Sequence, residues 1–505
     1  MQKRYTITPE FIKFSDINKD DFILSSSLYE KVNFKNTNGI FLKELLSCSL
    51  SNEFKGSDVG SDNYVDQSPY TFLRTKALQD FNYLPDFNKE SLLRIKPSSF
   101  KEMNLKKGDL ILSKDSNIGE ITILDDDYPK MMISSAMYKL PIEKDKYYIF
   151  AFIKHSAFRE QLDLLVPKGA TIRHAKTLFL ECSIIFPKKN REKIIDYIET
   201  LVKSVIKKEK LIKIKHEKIL HSIENEIASN QKDEVFTFSQ PTISELKKKN
   251  RLDTNLYGPY FKEINFKIKN YKYGYSTLKE LGYELSRGQN LQISNIGRSI
   301  YSKRYRSNFY ELMLPKFLSK YGTVNKVEYL GNSNKLKILK KGELIFGAEG
   351  FEKGRSIVII DEKEKVITNI HGITIRKKRE QNLKQAIFIK CFLDFLRSKG
   401  VIDLFAVGGN GGSLAQKYWD EIYFPNLSEI VQDTVSNLYH NPEAHYNKEF
   451  DMATFYQIDE EFNSKAGIYE LDKSMKLIKN KIDEVIDAIV QDNDPQLTFD
   501  FLKTI

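Results

Sequence analysis

The segment Asp403-Leu404-Phe405-Ala406-Val407-Gly408-Gly409-Asn410-Gly411-Gly412 has the residue types of a ligand cradle. It resembles the strand-to-glycine turn that holds S-adenosylmethionine, where missing side chains let the backbone approach the ligand closely. The corresponding stretch earlier in the chain, Asp163 to Thr171, carries Pro167 where such a loop needs freedom, and the chain has no adjacent proline pair of the kind amino-methyltransferases use. Gly350-Phe351-Glu352-Lys353-Gly354-Arg355-Ser356 approaches a phosphate-binding loop, but that loop needs four residues between its glycines and then Lys. Here there are three, followed by Arg. Pro85-Asp86, Glu90 and Lys96 approach the carboxylate–lysine set of a Mg²⁺-dependent nuclease, with the wrong spacing between Glu and Lys. The seven histidines form no H-x-H or H-E-x-x-H pattern, and Cys48, Cys182 and Cys391 stand far apart, so no zinc site or disulfide framework is expected. His174 and His371 fall in loops beside basic residues. No spacing makes this chain an enzyme in its own right, and no cofactor is expected in it.

With 505 residues the chain exceeds what one core supports, so at least two folded units are expected. A hydrophobic content of 41% with only 14 Pro and 24 Gly excludes a collagenous or linker-dominated chain. No apolar run approaches the roughly 20 residues of a membrane span, and the basic start lacks the apolar segment of a secretion signal, so a cytoplasmic location is expected. The net charge of +11 fits a polyanionic partner, as does the Lys-dense stretch Lys203 to Lys218, although a solvated helix face explains that stretch equally well.

The elements that would position these residues come in two copies. Leu105-Lys106-Lys107-Gly108-Asp109-Leu110-Ile111 recurs as Leu339-Lys340-Lys341-Gly342-Glu343-Leu344-Ile345, 234 residues later. Leu42-Lys43-Glu44-Leu45 recurs as Leu278-Lys279-Glu280-Leu281, and Phe186-Pro187 as Phe424-Pro425, in the same order and at nearly the same offset. Between these landmarks the halves diverge, as two copies of one scaffold with different recognition surfaces would. In each copy a strand pair is predicted (109–112 with 120–124; 343–346 with 356–360), followed by one amphipathic helix (147–165; 385–404). After the first Phe-Pro, Ile198, Val205, Ile212 and Ile219 recur every seven residues, which predicts one long helix over 191–227 with a narrow apolar seam. Leu471, Met475, Ile478, Ile482, Val485 and Ile489 predict a second seam near the end, preceded by a shorter helical stretch beginning at Leu427. Residues 441–465 have no counterpart in the first copy and read as an insertion.

Taken in order, these landmarks resemble the specificity subunit of type I restriction-modification systems. Each copy opens near an Arg-Leu-Asp-x-x-x-Tyr-like element (Arg251-Leu252-Asp253 to Tyr257, degenerate at Leu24 to Tyr29) and ends at Phe-Pro and a helix. The resemblance implies a mixed α/β fold with two homologous target-recognition domains, at 31–188 and 231–425. They would be separated by two long helices (189–230 and the helical region 426–505) packed as an antiparallel coiled coil, with an N-terminal segment at 1–30. It further implies double-stranded DNA as ligand, one half of a split site per domain, and two DNA adenine methyltransferase subunits docked on the helices, with a motor/endonuclease subunit as a further partner. S-adenosylmethionine would then be bound by the methyltransferase and not by this chain, which would be a non-catalytic part of a phage-defence complex. The rival readings are a stand-alone nuclease and a specificity module of a related defence system. Candidate DNA contacts, chosen as base- or phosphate-binding residue types in polar loops beside the repeated framework, are Arg74, Lys76, Ser113, Lys114, Lys168, Thr171 and Arg173 in the first copy. In the second they are Arg287, Gln289, Asn290, Lys353, Arg355, Asn410 and Lys417.

Overall fold

The computed structural model describes residues 4–15, 29–166, 174–350, 352–362, 365–408, 411–446 and 449–504. The chain is a mixture of helices and short strands in two compact units. The first unit comprises Met1–Lys210, His445–Ser464 and Leu471–Ile505, and the second comprises Leu211–Ala444 and Lys465–Glu470. Segment 31–188 thus falls wholly in the first unit and 231–425 wholly in the second. The helix expected between them, observed at Arg191–Ser229, contributes residues to both. Among the described residues no helix is long and apolar enough to cross a membrane.

Both units are built on the same strand framework. In the first, strand Leu110–Ser113 lies between Ile121–Ile123 and Met137–Leu140, antiparallel to each. In the second, Leu344–Gly347 lies between Ser356–Val358 and Gly372–Lys377 in the same way. Leu110 faces Ile123 and Leu140, and Leu344 faces Val358 and Ile375, so the register is shared. The repeated Leu-Lys-Lys-Gly ahead of these strands is a turn in which Gly108 and Gly342 adopt φ of +86° and +81°, a conformation that a Cβ disfavours. A second sheet repeats as well. Thr71–Leu73 runs parallel to Met131–Ile133 and antiparallel to Leu92–Arg94, as Tyr310–Leu312 does with Val366–Ile367 and Glu328–Asn332. A small third pairing joins the strand before Leu-Lys-Glu-Leu to the strand at or beside Phe-Pro: Gly39–Phe41 with Ser183–Ile185, and Tyr275–Ser276 with Phe424–Pro425.

The cores follow the repeat. Leu105, Ile111, Leu124 and Met131 are buried together in the first unit, and Leu339, Ile345, Ile359 and Val366 in the second. Alternation along each strand sends these side chains to the same face, so one buried set fixes the register of the other.

Two expectations are corrected. The single helix predicted over 147–165 is broken into Lys146–Lys154 and Ser156–Leu165, because His155 leaves the helical conformation and its Nδ1 accepts from Ala157 N–H (3.2 Å), capping the second segment. The helix predicted over 385–404 is likewise two, Leu383–Ser398 and Val401–Phe405, divided at Gly400, whose φ of +72° is left-handed.

The insertion contains a helix, Phe455–Lys465, and its residues from His445 to Ser464 belong to the first unit. There Lys208, fully buried on the long helix, donates to Asp459 (2.6 Å), Asn463 (2.6 Å) and Tyr446 (3.0 Å), and Ser204 donates to Asp459 (2.9 Å). Burial pulls the Lys208 amine below its usual range. Burial alone would raise the Asp459 carboxyl, yet Lys208 and the hydrogen bonds from Tyr446 and Ser204 hold it low. The second seam forms the helix Ile468–Val490. In the first unit Ile489 and Ile194 border one cavity, and Lys479 donates to Glu209 (2.8 Å). Glu209 also accepts from Tyr83 N–H and Leu84 N–H, tying the long helix to the sheets.

Candidate nucleic-acid interface

The framework strands Leu110–Ser113 and Leu344–Gly347 each run out into a loop bearing a carboxylate at an equivalent place, Asp115 in the first unit and Glu349 in the second. Asp115 forms an antiparallel bridge with His174, and Glu349 forms one with Ser413, the corresponding position of the second copy. The surrounding backbone bonds also correspond: Ala175 N–H donates to Lys114 O and Leu414 N–H to Ala348 O, both at 2.8 Å. Lys114 N–H donates to Ala136 O (2.8 Å), and Ala348 N–H to His371 O (3.1 Å).

On this shared frame the side chains differ and yet rebuild one grouping. Asp115 Oδ1 takes Nδ1 of His174 at 2.8 Å and its Oδ2 pairs with Lys114. Glu349 Oε2 takes Nδ1 of His371 at 2.5 Å, while its Oε1 pairs with Arg287 at 3.1 Å. The histidine comes from the Gly-loop side in the first unit and from the turn before Gly372–Lys377 in the second, where the first unit has Ala136. Both imidazoles remain open to solvent, with side chains 58% and 55% exposed. An ionised carboxylate only accepts hydrogen bonds, so either ring in its neutral form would carry its proton on Nδ1 and leave Nε2 as an acceptor.

The candidate contacts divide sharply. Lys114 and Arg287 join these two clusters as partners of the carboxylates. Gln289 and Asn290 lie in the loop after strand Tyr283–Arg287, their side-chain oxygens accepting from Lys337 N–H (3.3 Å) and Gln292 N–H (3.1 Å). Arg74 and Lys76 sit elsewhere in the first unit, both held by Glu90: Lys76 by its carboxylate at 2.7 Å, Arg74 by its carbonyl at 3.4 Å. Lys417 is exposed and lies against the Tyr418 ring. Lys168, Thr171, Arg173 and Asn410 fall outside the described residues.

Three further candidates are buried side chains. Ser113 is fully buried and its hydroxyl donates to Asp115 O (2.7 Å), so it shapes the loop from beneath. Lys353 is buried, donating to Gly411 O (2.6 Å) and pairing with Asp403 (2.9 Å), which ties two glycine-bearing loops together. Arg355 is buried as well, donating to Leu318 O (2.9 Å) and pairing with Glu352 (2.5 Å).

One surface was missed. Arg298 just before strand Ser299–Ser302 and Lys303, Arg304 and Arg306 after it are exposed, with Tyr301 and Tyr305 exposed beside them at 56% and 74%. Basic residues interleaved with open aromatic faces suit phosphate contact and base stacking. Its sequence signal is Lys303-Arg304-Tyr305-Arg306, a stretch that lies away from the repeated landmarks.

The Arg-Leu-Asp element has a structural use in the second unit. Arg251 donates to Phe405 O and Ala406 O (both 3.1 Å) and pairs with Asp253 (2.5 Å), while Tyr257 donates to Arg251 O (2.6 Å). Of its degenerate first-copy counterpart, Leu24 and Leu28 lie outside the described residues, and Tyr29 is buried.

No protein-family model matches the chain, and no curated protein sequence does. Among solved structures the chain is similar to the S subunit of the type I restriction-modification system from M. genitalium. That likeness has 13% identity over 90% of this chain and 97% of that one, with a TM-score of 0.40. It is also similar to a chain from a study of complex assembly and conformational transition of the type I R-M system (10% identity, 91% and 99% covered, TM-score 0.27). A third is the HsdS subunit from Thermoanaerobacter tengcongensis (11% identity, 90% and 96% covered, TM-score 0.26). With TM-scores below 0.5 these likenesses carry no weight for function, which is inferred from the residues of this chain.

Proposed function

We propose that the chain is the DNA-recognition subunit of a type I restriction-modification complex, each copy of the repeat reading one half of a bipartite site. The observation that carries this reading is the pair of equivalent loops at Asp115 and Glu349. One framework is kept in register while the residues it exposes are exchanged, as expected of two domains that hold DNA alike and read different sequences. The exposed Arg298 to Arg306 surface adds phosphate contacts in the second copy. The long helix and the helix Ile468–Val490 would pair as a coiled coil along their seams and carry two methyltransferase subunits, which would supply S-adenosylmethionine and flip the target base. A motor/endonuclease subunit would complete the complex.

The stand-alone nuclease reading is weakened at its own residues. Glu90 is engaged by Lys76, and Lys96 donates to Asp62 O (2.9 Å), so the carboxylate and the lysine of that set are turned to separate partners. The test uses the purified chain, alone and with a type I adenine methyltransferase that co-purifies with it. Alone it should bind DNA weakly, with affinity falling steeply as salt rises, and should neither methylate with S-adenosylmethionine nor cut with Mg²⁺. With the methyltransferase, methylation should appear at one bipartite sequence. Cleavage or methyl transfer by the chain alone would overturn the proposal.

A further inference from the structure

The carboxylate–histidine pairs carry the reading one step further. The two copies reach the same grouping by different routes: His174 bridges to Asp115 from the glycine-loop strand, and His371 reaches Glu349 from the turn ahead of Gly372–Lys377. Shared ancestry of the framework does not account for this, because the histidines occupy non-equivalent positions. Nor does burial require it, since both rings are more than half exposed. A cation stands on the far oxygen of each carboxylate, Lys114 in one and Arg287 in the other, so the carboxylate is fixed from two sides and the ring plane with it.

In its neutral form such a ring is a poor phosphate clamp, because the nitrogen left free by the carboxylate is an acceptor and not a cation. What it can accept from is an amino group. In the major groove only two bases offer one, adenine through N6 and cytosine through N4, while guanine and thymine present acceptors that would face the Nε2 lone pair. We propose that His174 and His371 each accept a hydrogen bond from the exocyclic amino group of one adenine or cytosine, one position in each half-site, and that Asp115 and Glu349 are positioning residues that set the tautomer. This rests on the DNA-recognition reading above.

The experiment is selection of bound sequences from random duplex DNA by the full chain together with its methyltransferase, using wild type and the variants His174→Ala, His371→Ala and Glu349→Gln. Thermal melting of each variant establishes that it is folded. Wild type should enrich a bipartite motif with an adenine or cytosine at the positions concerned. His371→Ala should lose the preference at one position of one half-site, by roughly five- to tenfold, and leave the other half-site intact; His174→Ala should do the same in the opposite half. Glu349→Gln should relax the same position as His371→Ala, because an amide can offer Nδ1 a hydrogen and free Nε2 to carry the proton. A uniform loss of affinity with a salt slope lower by about one would make the histidines phosphate contacts and overturn the proposal. An unchanged motif in folded variants would overturn it and leave the bipartite reading standing. The absence of any bipartite motif for wild type would remove both.

Discussion

Arg355 shows how a residue type misleads when its surroundings are unknown. In the sequence it is a basic residue in a Gly-bounded loop, the profile of a DNA contact; in the fold it is a buried strut between Leu318 O and Glu352. Arg355→Ala is therefore expected to destabilise the second unit by about 1–3 kcal/mol, read by urea denaturation, while the bound DNA sequence stays the same. A change in sequence preference at full stability would restore it as a contact. Lys208 teaches the same lesson with larger stakes. It belongs to the Lys-dense stretch read as either phosphate-binding or solvated, and it is neither: Asp459, 251 residues away, buries it. No local pattern encodes that partner. Lys208→Met strands a buried carboxylate and should cost about 3–5 kcal/mol, with the segment 455–465 losing protection from hydrogen exchange. Adding Asp459→Leu should recover most of that stability, since a well-packed apolar pair replaces the buried ions at little cost. Failure of the double variant to recover would mean the cluster does more than hold the insertion in place.

Helix spacing told where apolar faces run, and it did so through the breaks at His155 and Gly400 without registering them. The apolar period continues on both sides of each break, so only the cap marks it. The signs of the caps are weak in sequence, a histidine being an unusual N-cap. His155 is more than a cap. It is almost wholly buried, and burial, aided by the Arg4 guanidinium, holds its pKa down to about 3, so it is neutral beside Asp487 (3.2 Å). In the unfolded chain it takes up a proton near its ordinary value of 6.5. Between pH 3 and 6.5 the unfolded state therefore binds more protons, and stability rises with pH across that window, by up to roughly 5 kcal/mol from this group. Replacing it by glutamine should flatten the wild-type dependence over this range in denaturant titrations. An equally steep profile in the variant would place the acid sensitivity on other groups.

At the scale of the whole chain the duplication was the most legible feature. It survives at Leu-Lys-Lys-Gly because the turn needs a glycine at positive φ, and at the strands because each buries the same face. One strand pair in each copy was legible beside it and the helix after each Phe-Pro was legible from its apolar spacing, whereas the second sheet and the strand register depend on pairings far apart in sequence. The insertion was legible only as a gap in the repeat; that it would form a helix pinned at Lys208 depended on contacts far apart in sequence. The carboxylate–histidine pairs were invisible for the same reason, since His371 has no counterpart at Ala136 and its partner Glu349 lies in the loop after another strand. Gly342→Ala should test the turn itself: strain at φ +81°, with Gln381 3.2 Å from the added Cβ, predicts a loss of about 1 kcal/mol or more in the second unit, and no loss would place the repeat's origin elsewhere.

The claim that two copies of one framework read two halves of a DNA site is tested most directly by exchange. Replacing the loop residues at Asp115, His174 and Lys114 in the first copy, with the second left untouched, and mapping methylated sequences produced with the methyltransferase, should alter one block of the bipartite motif and leave the other block and the gap between them unchanged. A variant that changes both blocks together, or a motif that is a single continuous block, would contradict the account.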